Sequence, residues 1–435
     1  MNGERQTLVN ARLLCAASGF DHNGGLVIEN GCIADIGPQI SVGDNVIDCA
    51  GKTLIPGMID GRVHLSDPGY HHRETLLQTL KAAVRGGVTS ILVLPNTLPV
   101  LDSVANIHAL IQTACQAGLA KVYPYAALSQ ACAGDTLSEM GLLAEAGAVA
   151  LTDGQYPVAS SRLMAQAMSY AQAHKLPVAN ICMDPELGQG DMNAGLLATR
   201  LGLRGSASMA EEIMLARDLR ILQHLGGHYH ASMVTTRGAV ELVARYKAKG
   251  HKVTAGTSIN HIMLNELAVE GYRTFAKVWP PLRSEDDRLA IIEGVANGTI
   301  DIVVSDHCPV DSDTKRVPFA QADAGMVGLE TFLPLCLAPL HSGQLSLHRW
   351  LESVTCKPAD IFGIEGGKLA KGMPADLALI DIDAPVVVSD TQLSTPCRNL
   401  SYEQLPAQGK VIKTWVAGSC VYDSTLPAEV QAQTS

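Results

Sequence analysis

Eight short apolar runs, each followed by a stretch of helical periodicity, fill the middle of this chain and constrain its fold more than any other feature. They lie at 57–63, 88–94, 122–127, 148–151, 177–182, 228–234, 252–257 and 300–305. Strand-length apolar runs alternating with amphipathic helices imply parallel strands joined by crossovers, because parallel neighbours need long connections. Eight such units predict an α/β fold, a closed (β/α)8 barrel of TIM type. Local punctuation agrees. Ser284-Glu285-Asp286-Asp287 reads as an N-cap with an acidic first turn, after which Leu289, Ile292 and Val295 recur at helical spacing until Gly298. In a second helix Val240, Val243 and Tyr246 share a face, and Gly250 ends the element.

The two ends of the chain have a different texture. Short apolar segments separated by turn residues occupy 7–14, 26–28, 33–36 and 46–47, and the pattern returns at 375–382, 386–388 and 411–421. The ends together predict one small β-sandwich-like domain over 1–55 plus 366–435, flanking a barrel over 56–365. The polar tail after Leu426 is expected to fray.

Composition excludes several function classes. With 32 Lys+Arg against 43 Asp+Glu the net charge is −11, which offers no electrostatic footprint for nucleic acid. Charged residues make up 17% and apolar ones 47%, a balance that suits a folded protein and not a disordered one. Aromatics are only 4%, so small and branched side chains must fill the helix-on-sheet layers. The 11 cysteines are odd in number, dispersed and free of C-x-x-C pairs, which argues against a disulfide framework or zinc knuckle. Residues 1–12 lack a continuous apolar segment and the other apolar runs are too short to cross a bilayer. The expectation is a cytoplasmic protein with reduced thiols and no membrane partner.

Chemistry in such a barrel collects where the βα loops converge, at the C-terminal ends of the strands. Those ends present Arg62 and His64, Asn96, Asp153, Ile181, Met233, Asn260 and His261, and Asp306 and His307. Several of these segments together resemble the dihydroorotase family of the amidohydrolase superfamily. The resemblance rests on Pro56-Gly57-Met58-Ile59-Asp60 leading into His64-Leu65-Ser66-Asp67-Pro68-Gly69, on Pro95-Asn96-Thr97-Leu98-Pro99, and on Thr152-Asp153-Gly154. It continues through Pro280-Pro281-Leu282-Arg283, Ser305-Asp306-His307-Cys308-Pro309 and the segment from Gly372 to Asp376, in order along nearly the whole chain.

That family implies one or two divalent metals that activate water for ring opening of dihydroorotate, or for the reverse cyclisation of N-carbamoylaspartate. A bound metal lowers the pKa of its water from about 15.7 toward about 7. The family's metal ligands are only partly present here. Its His-x-His pair reads Arg62-Val63-His64, the ligand His after the fifth strand is Ile181, and the one after the sixth is Met233. Cys182 cannot substitute, since strand alternation turns it from its neighbour's face. His64, Asp153 and Asp306 remain, a marginal set for zinc, and the permanent cation of Arg62 would repel a metal and neutralise Asp306 or Asp153. The family's substrate-holding Arg, Asn and His correspond to Ser66, Trp279 and Val310, with Asn96 retained.

Structural and functional readings stand side by side at these positions. His64, Asp153 and Asp306 are either a buried salt-bridged core with Arg62 or a remnant metal site. His71 and His72 are either solvated loop residues or replacement ligands, and His228 and His230 either structural or metal-binding. Ile181 and Met233 read as core filler, and His307 orients its loop or touches a ligand. The resemblance implies a non-catalytic protein of pyrimidine biosynthesis, similar to the inactive dihydroorotase-like chains that assemble with aspartate carbamoyltransferase, needing no cofactor or at most one weakly held zinc, and acting as a homo-oligomer. An active cyclic amidohydrolase on His64, Asp153 and Asp306, with Asp306 as general base, is the second expectation. A regulatory module that holds a small anion on Arg62 and Asn96 is the third.

Overall fold

The computed structural model describes residues 5–43 and 45–426; the polar tail after Leu426 lies outside the described residues. Eight parallel strands follow one another around a barrel: Met58–Val63, Val88–Val93, Lys121–Ala127, Ala150–Thr152, Val178–Asn180, Tyr229–Ala231, Val253–Ser258 and Ile302–Val304. Each lies within or overlaps one of the eight apolar runs. The first and last meet through a parallel bridge between Val63 and His307 and a 2.9 Å hydrogen bond from the His64 amide to the His307 carbonyl.

The runs are apolar throughout because both strand faces are covered. Outward side chains pack under the crossover helices, while Ile59, Leu92, Tyr125, Ile181, Met233 and Val304 belong to a separate buried cluster inside. Cys182 faces outward, its thiol 3.0 Å from the Tyr229 hydroxyl, as alternation from Ile181 requires.

The helix Glu285–Asn297 begins at Ser284, whose hydroxyl accepts the Asp287 amide at 3.1 Å, and stops at Gly298 in the left-handed region at φ 82°. Its buried face differs from the expected one. Leu289 is 44% exposed, and Ala290, Ile291, Ile292 and Val295 are buried instead. Leu289 sits about 160° around the helix from the centre of the stripe that meets the barrel, on the opposite face. The helix Arg237–Ala248 buries Val240, Val243 and Tyr246 as expected.

The chain ends build one eight-stranded sheet. Gln6–Cys15 pairs with Phe20–Glu29, which pairs with Cys32–Gly37, and Asn45–Asp48 adds to Gln6–Cys15. On the other side Thr53–Pro56 is parallel to Gln6–Cys15 and antiparallel to Leu377–Val387, so it joins the two ends; Pro406–Val416 and Ser419–Asp423 complete the order. Two expected segments, 375–382 and 386–388, fall largely on one continuous strand with an irregularity between Asp381 and Pro385. The expected segment 411–421 is instead two strands, because Ala417 and Gly418 both take positive φ and reverse the chain.

Candidate functional site at the barrel mouth

At the C-terminal end of the barrel a cavity of about 610 Å3 opens, lined among others by Arg62, His64, Asp306, Asp184, Arg204 and Trp279. Ile59 faces the interior and Asp60 the opposite side, and a register irregularity between Asp60 and Val63 then brings Arg62 and His64 to the mouth. Arg62 is 2% exposed, and its Nε donates to Asp306 Oδ1 at 2.9 Å. His64 Nε2 stands 3.5 Å from the same oxygen. Below them the Asp60 carboxylate accepts hydrogen bonds from the Arg62 amide at 3.2 Å, from the Ser305 amide at 3.2 Å and from the Ser305 hydroxyl.

These contacts set the charge states. Burial drives the Asp306 carboxyl upward, but His64 and the Arg62 charge outweigh it and hold the group below the usual carboxylate range. Burial, reinforced by the neighbouring guanidinium, holds His64 below the usual imidazole value despite Asp306. The floor of the mouth is therefore a guanidinium–carboxylate pair beside a neutral imidazole. Burial raises Asp60 to about 6 against its three hydrogen bonds.

The remaining expected site residues are engaged elsewhere. Asp153 accepts from the Ser129 amide at 2.8 Å and the Ser129 hydroxyl at 2.6 Å, while burial still raises its carboxyl. Arg62 pairs with Asp306, of the two aspartates. The Asn96 amide donates to the Asp153 carbonyl at 3.0 Å and accepts from the Gln155 amide at 2.9 Å, so its polar atoms hold the loop after the fourth strand. Ile181 and Met233 are 0% and 1% exposed in the apolar interior, where the family's ligand imidazoles are implied.

Five of the other histidines have protein partners, while His71 is exposed. His228 Nε2 and His230 Nδ1 lie 3.0 and 2.9 Å from the same Thr254 hydroxyl, and burial pushes them down to about 4 and about 3. His261 lies 2.8 Å from the Ser258 hydroxyl and 3.1 Å from the Pro280 carbonyl, and burial lowers it to about 4. His72 is 3.4 Å from Asp311 at the surface. His307 accepts the Gly328 amide at Nδ1, 3.1 Å, and donates from Nε2 to Glu74 at 2.9 Å, so it fixes its loop.

The donor set of a dihydroorotase-type metal centre does not assemble. Of the three retained positions only His64 and Asp306 converge, and a guanidinium occupies the place beside them. Among the described residues no group of three or more His, Cys, Asp or Glu is placed to hold a metal ion. The residues present do not fit the metal that the family implies.

Sequence reasoning did not single out Arg204 and Asp184 as walls of the mouth. Both lie in the excursion after the fifth strand, and their placement follows from the short parallel pair of Met192–Asn193 with Gly205–Ser206 and from the Arg204–Asp191 ion pair at 3.3 Å. No periodicity marks such an excursion.

The architecture is that of the amidohydrolase barrels. It superposes on L-hydantoinase (dihydropyrimidinase) from Arthrobacter aurescens with a TM-score of 0.87 at 23% identity, covering 97% of this chain and 96% of that one. Dihydropyrimidinase from Brevibacillus agri NCHU1002 gives 0.81 at 20% identity, covering 98% and 96%. A dihydro-orotase-like family model matches residues 51–239 and an amidohydrolase family model residues 289–422. Dihydroorotase of Pelobacter propionicus is 39% identical over 416 residues, 95% of this chain and 98% of its own length, and that of Syntrophotalea carbinolica is 40% identical over 417 residues, also 95% and 98%. The chain belongs to the dihydroorotase family. Among its described residues no helix is long and apolar enough to cross a membrane.

Proposed function

We propose that this chain is a non-catalytic member of its family, which serves pyrimidine biosynthesis in the cytoplasm as a structural partner of the aspartate carbamoyltransferase catalytic chain, within a homo-oligomeric assembly. One observation carries the reading: the Arg62–Asp306 ion pair, 2.9 Å long, forms the floor of the mouth where metal ligands are implied. A carboxylate held low by a guanidinium is a weak base, so Asp306 has little capacity to take a proton from water. Support for the partner is the resemblance to inactive dihydroorotase-like chains that scaffold that transferase.

A second reading, an active dihydroorotase with a reduced site, draws support from the name shared by the 39% and 40% identical relatives and from the His64–Asp306 approach beside the cavity. Assay of the purified protein in zinc-supplemented buffer, in both reaction directions, separates the two. The expected result is no turnover beyond that of an Asp306→Asn preparation, together with co-elution with the aspartate carbamoyltransferase chain of the same organism. Turnover that disappears in the variant overturns the non-catalytic reading.

A further inference from the structure

The mismatch between the family's metal and these residues has a structural counterpart at the line where the barrel closes. The first strand and the segment after the eighth meet at the Val63–His307 bridge and the His64–His307 backbone hydrogen bond. Three side chains in and just after the first strand then reach across to the two residues that follow the eighth. Asp60 takes the Ser305 amide and hydroxyl, Arg62 takes Asp306, and His64 approaches the same carboxylate. Arg62 and Asp306 are both buried, so either left alone is an uncompensated charge in a low-dielectric site. Asp306 also sits at φ 53°, a left-handed conformation that aspartate tolerates but that its partners must hold.

We propose that Arg62 is the internal cation of this barrel, standing in for the metal that the family implies, and that its pair with Asp306 closes the seam between first and last strands without any bound ion. A divalent metal in the mouth would neutralise its aspartates and tie together the strands that carry them. Here a guanidinium on the first strand does both to the carboxylate after the eighth. The retained Asp306 thus has a reason to be present that involves no chemistry. Directionality supports the assignment, because Nε of Arg62 addresses Asp306 while the Arg62 amide addresses Asp60, so one residue touches both acidic groups of the seam. Apolar filling by Ile181 and Met233 closes the space on the far side.

The experiment is a double-mutant cycle read by thermal unfolding, with Arg62→Met, Asp306→Asn and the combined variant. Each single substitution strands one buried charge and is expected to lower the melting temperature by roughly 5 °C or more. The double variant removes both charges, so its loss is expected to be clearly smaller than the sum of the singles. Additive losses overturn the proposal. A second measurement uses the unsubstituted protein, whose melting temperature is recorded with excess zinc and with EDTA. No difference is expected, whereas a rise in zinc shows that a metal still organises the seam and overturns the proposal even if a variant fails to fold. The outcome is separable from the non-catalytic reading on which the mouth's function rests: turnover would overturn that reading and leave the coupling of Arg62 to Asp306 intact.

Discussion

Gly154 and Asn96 are fitted to one another: a Cβ at position 154 would fall 1.7 Å from Asn96 Oδ1, the atom that accepts the Gln155 amide. Gly154 also has φ 69°, where side chains are strained. The pair fixes the loop that carries Asp153.

Gly154→Ala is therefore expected to cost about 2–4 kcal/mol, combining overpacking with the positive φ. Gly118→Ala is the comparison, since Gly118 has φ 63° and nothing within 4 Å of the added carbon. It is expected to cost only about 1 kcal/mol. Equal losses in urea unfolding would show that the Asn96 contact yields freely.

Stability should fall as pH drops below about 6.5. His228, His230 and His261 are held at about 4, about 3 and about 4 in the fold. The unfolded chain takes up their protons near pH 6.5 while the native state does not, so native stability is lost as pH falls toward 4. Asp60, raised to about 6, works in the opposite sense between pH 6 and 4 by binding one proton in the fold first. Three histidines against one aspartate leave these four groups favouring the native state at higher pH, so their combined contribution falls as pH drops from about 6 to about 4.5. A urea series across that range that shows no slope would contradict the buried neutral state of these histidines.

Lys277 joins two walls of the mouth. Its Nζ donates to the Phe319 and Ala320 carbonyls at 2.8 and 3.2 Å and lies 3.8 Å from Asp191, and its carbonyl accepts the Gly325 amide. Lys277→Met should speed amide exchange about tenfold in the segments around Asp191 and Phe319 while the barrel strands keep their protection. Exchange unchanged at both places would remove Lys277 from that role.

Arg283 is a buried node behind the same wall. Its Nη1 donates to Asn193 Oδ1 and the Ser206 carbonyl, and its Nη2 lies 3.9 Å from Glu211. Arg283→Met leaves Glu211 without its cation, and a loss of about 3–5 kcal/mol is expected. Pairing the change with Glu211→Gln should recover part of that loss, and a double variant no better than the single would show that the two do not interact.

Much of the fold was legible because its signal is local. Eight apolar runs between helical periods mark eight strands, and Ser284 and Gly298 mark a helix by their capping chemistry. Where the reading departed from the structure, the cause was not local. The exposure of Leu289 depends on which part of a helical face meets the barrel, and the split of 411–421 into two strands depends on a reversal at Ala417 and Gly418. Thr53–Pro56 is four residues long and becomes recognisable as a strand only between neighbours from opposite ends of the chain.

The candidate site divides in the same way. Residue identity alone determined that imidazoles are missing at positions 62, 181 and 233, because no fold supplies a donor atom that Arg62, Ile181 and Met233 lack. Partner choice belonged to the tertiary structure. Arg62 carries a charge that two aspartates at other strand ends could answer, and barrel closure sets Asp306, rather than Asp153, at hydrogen-bonding distance. Charge and donor type are properties of a side chain, whereas an ion pair across 244 residues of chain exists only once the first and last strands meet.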